Sequence, residues 1–242
     1  MRTTQSPRGV WPVMYHQWSQ MTFVHWRYPS ALVQPLLPDG LTVEEFDGSA
    51  WVGLTPFLME NVRVPGAPVL PWLSTFPETN VRTYVKDAWG RSGLWFLSLD
   101  AGRLLPVIGA RAGYRLPYHW SDMSVRVEGG RRVYRCRRRR PGGSAGARCD
   151  ADVEWGAPLA DSERDGLTDF LTERYRLFTV IGGGLAHAEV EHRPWPLRRA
   201  RLTHLDQGLL QAGGLTAPDH DPILHASPGV RVRVGMWSRS RP

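Results

Sequence analysis

Lysine is almost missing from this chain: Lys86 is the only one among 30 lysines and arginines. The consequence is chemical, because arginine stays protonated and cannot act as an amine nucleophile. The formal net charge is +7. An excess carried by arginine beside many Ala, Gly and Pro residues matches the codon bias of a GC-rich genome, so the basic balance says little about nucleic acid. Cysteine is scarce too. Cys136 and Cys149 form no CxxC pair and there is no second pair, which argues against a zinc site of that type. No run of about 18 apolar residues occurs, so no transmembrane helix is expected. Residues 1–14 lack the continuous apolar core of a signal peptide. The expectation is a soluble, cytoplasmic protein without metal or other cofactor. The dinucleotide, Walker and HExxH motifs are absent. Gly182 to Gly184 has neither the lysine nor the helix pattern of a phosphate loop, and His187 and His192 are too loosely placed for a metal site.

What is present reads as globular, at 42% hydrophobic and 22% charged residues. The expectation is one domain over residues 1–242, with 1–10 a loose arm. Trp11 to Trp18 is aromatic and packs across the body. Met21 to Tyr28 is rich in aromatic and β-branched residues and predicts a strand. Pro29 opens a helix over Ser30 to Leu37. Leu41 to Phe46 and Ala50 to Met59 read as strands around an Asp47-Gly48 hairpin turn. A proline-rich, apolar loop over 62–77 is either a lid or the closure of one barrel end. Thr79 to Lys86, Leu94 to Leu99 and Tyr118 to Val127 follow as strands, with a helix-like segment over Ala101 to Ala110. Strands over 131–140 and 145–155 turn at Gly142-Gly143 and set Cys136 opposite Cys149, as reduced thiols or as a cross-strand disulfide. A helix runs from Asp161 or Ser162 to about Arg174. Strands Tyr175 to Val180, Leu185 to His192 and Ala200 to Leu205 come next. A short helix over Asp206 to Ala212 precedes a last strand, His225 to Met236. Hairpins rather than βαβ units make this a mainly β, α+β chain: an antiparallel sheet or barrel with a few short helices.

Four constellations could carry chemistry. On a strand, Glu78, Asn80 and Arg82 share one face. Facing out they are solvated; facing into a barrel they are a buried acid, amide and cation, suited to acid–base or orienting work. Arg111, Tyr114, Arg115, Tyr118 and His119 gather at a helix-to-strand junction, where arginine can clamp an anion, tyrosine can donate to an enolate oxygen and histidine can titrate. His25-Trp26-Arg27 mixes polar heads with aromatic bodies. Glu173 to Arg176 does the same but reads better as a charged helix end. Arg137 to Arg140, the best nucleic-acid candidate, reads as a solvated hairpin tip.

Met21-Thr22-Phe23 with His25-Trp26-Arg27-Tyr28-Pro29, Leu36-Leu37-Pro38, Phe46-Asp47-Gly48, Ala50-Trp51-Val52-Gly53, Phe76-Pro77-Glu78-Thr79-Asn80-Val81-Arg82 and Leu116-Pro117-Tyr118 together resemble the YqjF-like, DUF2071 family. The resemblance covers nearly the whole chain. It implies the acetoacetate decarboxylase-like fold, a cone-shaped antiparallel β-barrel around an internal pocket. It also matches Glu78 to the acidic residue on a central strand of those decarboxylases. Their Gly-Phe-Pro-Lys-Lys segment, which carries the Schiff-base lysine, corresponds to Tyr114-Arg115-Leu116-Pro117-Tyr118-His119, so Tyr118 and His119 stand where the lysines would be. Schiff-base decarboxylation needs a primary amine and is rejected.

The functional expectation is a lyase, isomerase or cyclase working on a carbonyl, enol or polyketide-like substrate by acid–base and positional catalysis. Its catalytic residues would be Glu78, His119, Arg111 and Tyr118. Its substrate-binding residues would be Arg82, Asn80, Tyr114, Trp95, His25, Arg27 and Trp72. The alternative is a non-catalytic small-molecule-binding barrel for sequestration or sensing. The expected partner is a small molecule, with no nucleic acid and no membrane, and homo-oligomerisation stays open.

Overall fold

The structure, a computed structural model, describes residues 7, 9–70, 72–103, 116–139 and 147–239. Thirteen strands are present among them. They are β1 (Pro12–Tyr28), β2 (Leu41–Val43), β3 (Ala50–Arg63), β4 (Phe76–Asp87), β5 (Ser92–Ala101), β6 (Tyr118–Glu128), β7 (Arg131–Arg138), β8 (Arg148–Pro158), β9 (Arg176–Ile181), β10 (Gly184–His192), β11 (Arg198–Gln207), β12 (Ile223–Gly235) and β13 (Ser238–Arg239). Three short helices accompany them: α1 (Ser30–Val33), α2 (Gly166–Thr172) and α3 (Leu209–Ala212). No helix is long and apolar enough to cross a membrane among the described residues.

All strands join one sheet, and its pairings close on themselves twice. One circuit runs β5-β6-β7-β8-β11-β12-β1-β3-β4 and back to β5; the other runs β5-β9-β10-β12-β1-β3-β4 and back to β5. The two share β12, β1, β3, β4 and β5. The shared strands fork at both ends of the series. β5 gives Leu99–Ala101 to β6 and Leu94 to β9, both parallel. β12 gives Ala226 and His225 to β11 and residues 232–234 to β10. Pairing is otherwise antiparallel, as hairpin connectivity requires.

Each circuit has its own apolar interior. Val24, Trp26, Val52, Leu54 and Val81 pack with Tyr134, Cys136, Cys149 and Ala151 in the first. Met21, Phe23, Phe57 and Met59 pack with Val190, Val232 and Trp195 in the second. Neighbouring residues of one strand thus serve opposite cores, the period-2 alternation of a strand buried on both faces.

Two residues with left-handed backbone reset that alternation. Gln20 has φ +49° and Asn61 has φ +55°, and the β1–β3 register shifts beside each. An extra residue in one strand bends it and swaps the faces of everything beyond. β1 begins at Pro12 and not at Met21, because it pairs with β12 from Pro12 onward across the irregularity. Trp11 to Trp18 loses the alternation at Gln20 and so does not read as the same strand.

Other expectations are corrected by local hydrogen bonding. Asp47 and Gly48 do make the tight turn, with φ +50° and +69°, but only Phe46 and Ser49 bridge across it. β2 leaves to pair with Val85–Asp87 of β4. The Gln34 side chain takes the other edge of β2, donating to Leu41 O at 3.0 Å and accepting from Val43 N at 2.9 Å. The helix expected from Asp161 splits into a 3-10 turn and α2, because the Asp165 carboxylate caps α2 by accepting from Thr168 N at 2.7 Å. Of the helix-like segment 101–110, residues 104–110 lie outside the described residues, and Ala101 ends β5.

Cys136 and Cys149 stand opposite each other as the hairpin requires, and both thiols are free. Arg138 is no solvated tip. It makes a buried two-point ion pair with Asp100, Nε to Oδ1 at 2.8 Å and Nη2 to Oδ2 at 2.9 Å, and Ser121 donates to the same carboxylate. Arg137 is exposed and Arg140 lies outside the described residues.

The close approach of β12 to β1 depends on Gly229. Its φ is +127°, and a Cβ there would meet Trp18 O at 2.0 Å. Gly48 has φ +69° with open space around it. Gly229→Ala is therefore expected to cost well over about 2 kcal/mol, and Gly48→Ala only about 1 to 2 kcal/mol. Urea unfolding of both variants checks this; equal losses would show that β1 and β12 are not in contact there.

Candidate functional site

The second circuit holds a cavity of about 570 Å³. Met14, His16 and Trp18 line it before the Gln20 irregularity, and Met21 after it. Between β3 and β4, Val64, Ala67, Pro68, Leu70 and Leu73 close over one end. The apolar loop thus forms part of the cavity wall. Lining is mostly apolar with a few convergent polar groups, the usual make-up of a small-molecule site.

β4 supplies the polar face. Glu78, Asn80 and Arg82 all line the cavity, and all are buried. The residues between them, Thr79 and Val81, turn the other way, and Val81 enters the first core. Tyr118 arrives from the start of β6 and donates its hydroxyl to Glu78 Oε2 at 3.1 Å. Burial pushes the Glu78 carboxyl up to about 8; the hydrogen bonds of Tyr118 and Asn80 oppose this, and the charge of Asp100 adds to it. Burial, then the Glu78 charge, raises the Tyr118 phenol well above its ordinary value. A carboxyl raised toward neutrality beside a phenol that stays protonated can give and take a proton.

Two arginines reach the same cavity. Arg174 sits just beyond α2, where its Nη1 pairs with Glu44 Oε2 at 2.8 Å. Its Nη2 is buried without a protein partner among the described residues. Arg82 donates from Nη2 to Leu171 O at 3.3 Å and lies 5.3 Å from the Phe23 ring. No carboxylate of the described residues comes within ion-pair distance of Arg82. His16 lines the wall with both ring nitrogens without a partner among the described residues, and burial lowers it to about 4, so it is neutral at pH 7.

The structure brings together Glu78, Asn80, Arg82 and Tyr118 of the residues expected from sequence. The others lie elsewhere. His119 follows Tyr118 on the opposite face of β6, across from Asp100 of β5. Leu94 and Phe96 line the cavity while Trp95 packs with Leu41, Val85 and Phe178. His25 is buried behind the cavity; its Nε2 lies 2.7 Å from the Tyr84 hydroxyl, which itself donates to Leu171 O at 2.7 Å. That commitment puts the ring proton of His25 on Nε2. Arg27 is exposed. Trp72 faces outward, 65% exposed, with the Arg103 guanidinium 5.6 Å from its ring. Arg111 and Tyr114 lie outside the described residues. His16 was not expected, and Arg174 was expected at a charged helix end. Glu173 and Arg174 are no charged helix end: both are buried, and Glu173 accepts from Arg164, Tyr175 and Trp195 N. The alternation of Arg174 and Arg176 around Tyr175 was the available signal.

The raised carboxyl links stability to pH. Folded Glu78 keeps its proton to about 8, whereas the ordinary value is 4.5. Its contribution to stability is full below that ordinary value and is lost as pH rises toward 8. Glu78→Gln removes this dependence. The variant is expected to gain on the wild type by roughly 1 kcal/mol per pH unit between about pH 5 and pH 8. Thermal unfolding across that range measures it; parallel pH profiles would show that Glu78 ionises as it does in water.

Comparison with known proteins places this geometry. A family model for DUF2071, described as an uncharacterized conserved protein, matches residues 15–231. The uncharacterized protein YqjF of Bacillus subtilis (strain 168) is 35% identical over 219 residues, covering 90% of this chain and 88% of that one. Among solved structures, an acetoacetate decarboxylase-like enzyme from Sphingomonas wittichii RW1 superposes with a TM-score of 0.66 at 13% identity, over 94% of this chain and 93% of that chain. An acetoacetate decarboxylase from Legionella pneumophila gives 0.66 at 13% identity, over 99% and 91%. These likenesses establish the acetoacetate decarboxylase-like fold, and the matched sequence establishes the kinship: the chain belongs to the DUF2071 family.

Proposed function

We propose that this protein is an acid–base enzyme for a carbonyl or enol compound, polyketide-like substrates included, of the lyase, isomerase or cyclase type. The observation that carries the reading is the buried Glu78–Tyr118 pair on the cavity wall. With a pKa of about 8, roughly one Glu78 in ten is ionised at pH 7 and can take a proton from carbon next to a carbonyl. Tyr118, now donating to Glu78, is placed to donate to the carbonyl oxygen as enolate charge develops there. Returning the proton to another carbon isomerises the substrate; attack of the enolate carbon on a second carbonyl closes a ring, with Glu78 returning the proton to the new alkoxide. The apolar walls hold the reacting groups in register.

Imine chemistry has no support in the chain's own amines. Lys86 is half-exposed at the far end of β4, 3.5 Å from Glu44, and does not line the cavity. Tyr118 and His119 hold the positions that resemble those of the decarboxylase lysines. A barrel serving only to sequester a ligand needs no titrating group; a buried, hydrogen-bonded Glu78 favours the enzyme.

Proton transfer is measurable without knowing the substrate. Wild-type protein is expected to speed deuterium exchange of the α-protons of 2-octanone in heavy water, with a rate that climbs with pH and levels off near 8. Glu78→Gln is expected to reduce that acceleration by about 10²–10⁴-fold, and Tyr118→Phe by about tenfold or more. Exchange no faster than in buffer, or equal in wild type and Glu78→Gln, refutes the reading.

A further inference from the structure

Arg82 and Glu78 share a face of β4 but stand at different depths. Four residues at roughly 3.3 Å each separate their Cα atoms by about 13 Å. The Arg82 guanidinium is held at its own end by Leu171 O and by the Phe23 ring. The groups that move the Glu78 carboxyl are Tyr118, Asn80 and Asp100, and Arg82 is not among them. Asn80 lies between the two, its Oδ1 buried without a protein partner among the described residues.

The charges near the deep end do not balance. Arg174 is neutralised by Glu44, which also draws Lys86 and Ser92. Arg82 has no such partner and is 6% exposed. A buried, unpaired cation is costly unless an anion meets it. One uncompensated charge calls for a monoanion, a carboxylate rather than a doubly charged phosphate. Beyond Glu78 the cavity runs on between Met59, Val62 and Leu73 to an apolar rim, where Val64 and Leu70 are 54% and 50% exposed.

We infer that the ligand of this cavity is an elongated, monoanionic amphiphile: a carboxylate held by Arg82 and Arg174, a chain passing Asn80, an enolisable carbonyl beside Glu78 and Tyr118, and an apolar end at the loop. Only the position of the carbonyl rests on the acid–base reading. A 3-oxo acid, whose carboxylate and carbonyl are one carbon apart, reaches one station or the other but not both. The preference for a long acid is a property of binding alone.

The test titrates the protein with acetate, hexanoate, decanoate and uncharged 1-decanol, following the intrinsic tryptophan fluorescence, to which Trp18 and Trp195 in the cavity wall contribute. Decanoate is expected to bind at least about tenfold more tightly than hexanoate and than decanol, and acetate not measurably. Arg82→Met is expected to abolish the preference for decanoate over decanol and to raise Tm, since it removes an unpaired buried charge. A folded Arg82→Met that keeps the preference, or acetate binding as tightly as decanoate, overturns the proposal. So does a fall in Tm with binding unchanged, which would make Arg82 structural. Wild-type protein that binds decanoate with this preference but exchanges no ketone protons would sink the acid–base reading and leave the ligand class standing.

Discussion

Five strands of this protein are covered on both faces along much of their length. β12, β1, β3, β4 and β5 belong to both closed circuits, so where both circuits flank them successive residues point into one interior or the other, while Arg27, Lys86, Arg231 and Arg233 reach solvent. On the covered stretches every side chain must either fill a core or line a space. Apolar residues do the first, and the mixed aromatic and aliphatic runs of β1 and β3 follow from it. A polar residue on such a stretch has only buried places to go, and there it needs a partner. On the first-circuit side Asp100, Ser121 and Arg138 meet it among themselves. On the second-circuit side it is met only in part. Asn80 Oδ1, Arg82 Nε and Arg174 Nη2 have no protein partner among the described residues, and they all belong to residues of one cavity wall.

The same constraint sets the electrostatics. Glu78 is lifted by burial; the hydrogen bonds of Tyr118 and Asn80 oppose the shift, and no cation is among the groups that act on it. Asp100, on the neighbouring strand and equally buried, has a guanidinium in two-point contact. These two carboxyls sit across the ladder within one residue of register, since Glu78 pairs with Ala101 and Thr79 with Asp100. One is built as half of an ion pair and the other as a group that can gain and lose a proton near neutral pH. Alternation of faces, not distance along the chain, divides the two roles.

Much of this was legible from residue order. The hairpins over residues 76–101 and 176–192, the opposed cysteines and the shared face of Glu78, Asn80 and Arg82 all follow from period-2 spacing and turn residues. Whether that face pointed out or in was not legible, because the answer depends on β5 and β3 flanking β4 and on a second layer behind it. The left-handed residues Gln20 and Asn61 hid the start of β1 and the end of β3, since neither is a glycine that would announce a bulge. Arg174 escaped for another reason. A cation beside Glu173 reads as a surface pair, and only its contact with Glu44, from a distant part of the chain, takes it inside. His119 and Trp95 show the converse: adjacent to lining residues in the chain, they fall on the opposite face in space.

The pairing of β1 with β12 has a bearing on how the protein is made. Trp18 opposes Val230 and His25 opposes Ile223, so this ladder ties the two ends of the chain together. Both circuits pass through it. Neither can close while β12 is still to be synthesised, and until then β1 and β3 present two apolar faces each, with only local hairpins to cover them. Long-range pairing of this kind folds slowly and exposes strand edges in the meantime. β12, for which both circuits wait, is the strand that shuts the cavity.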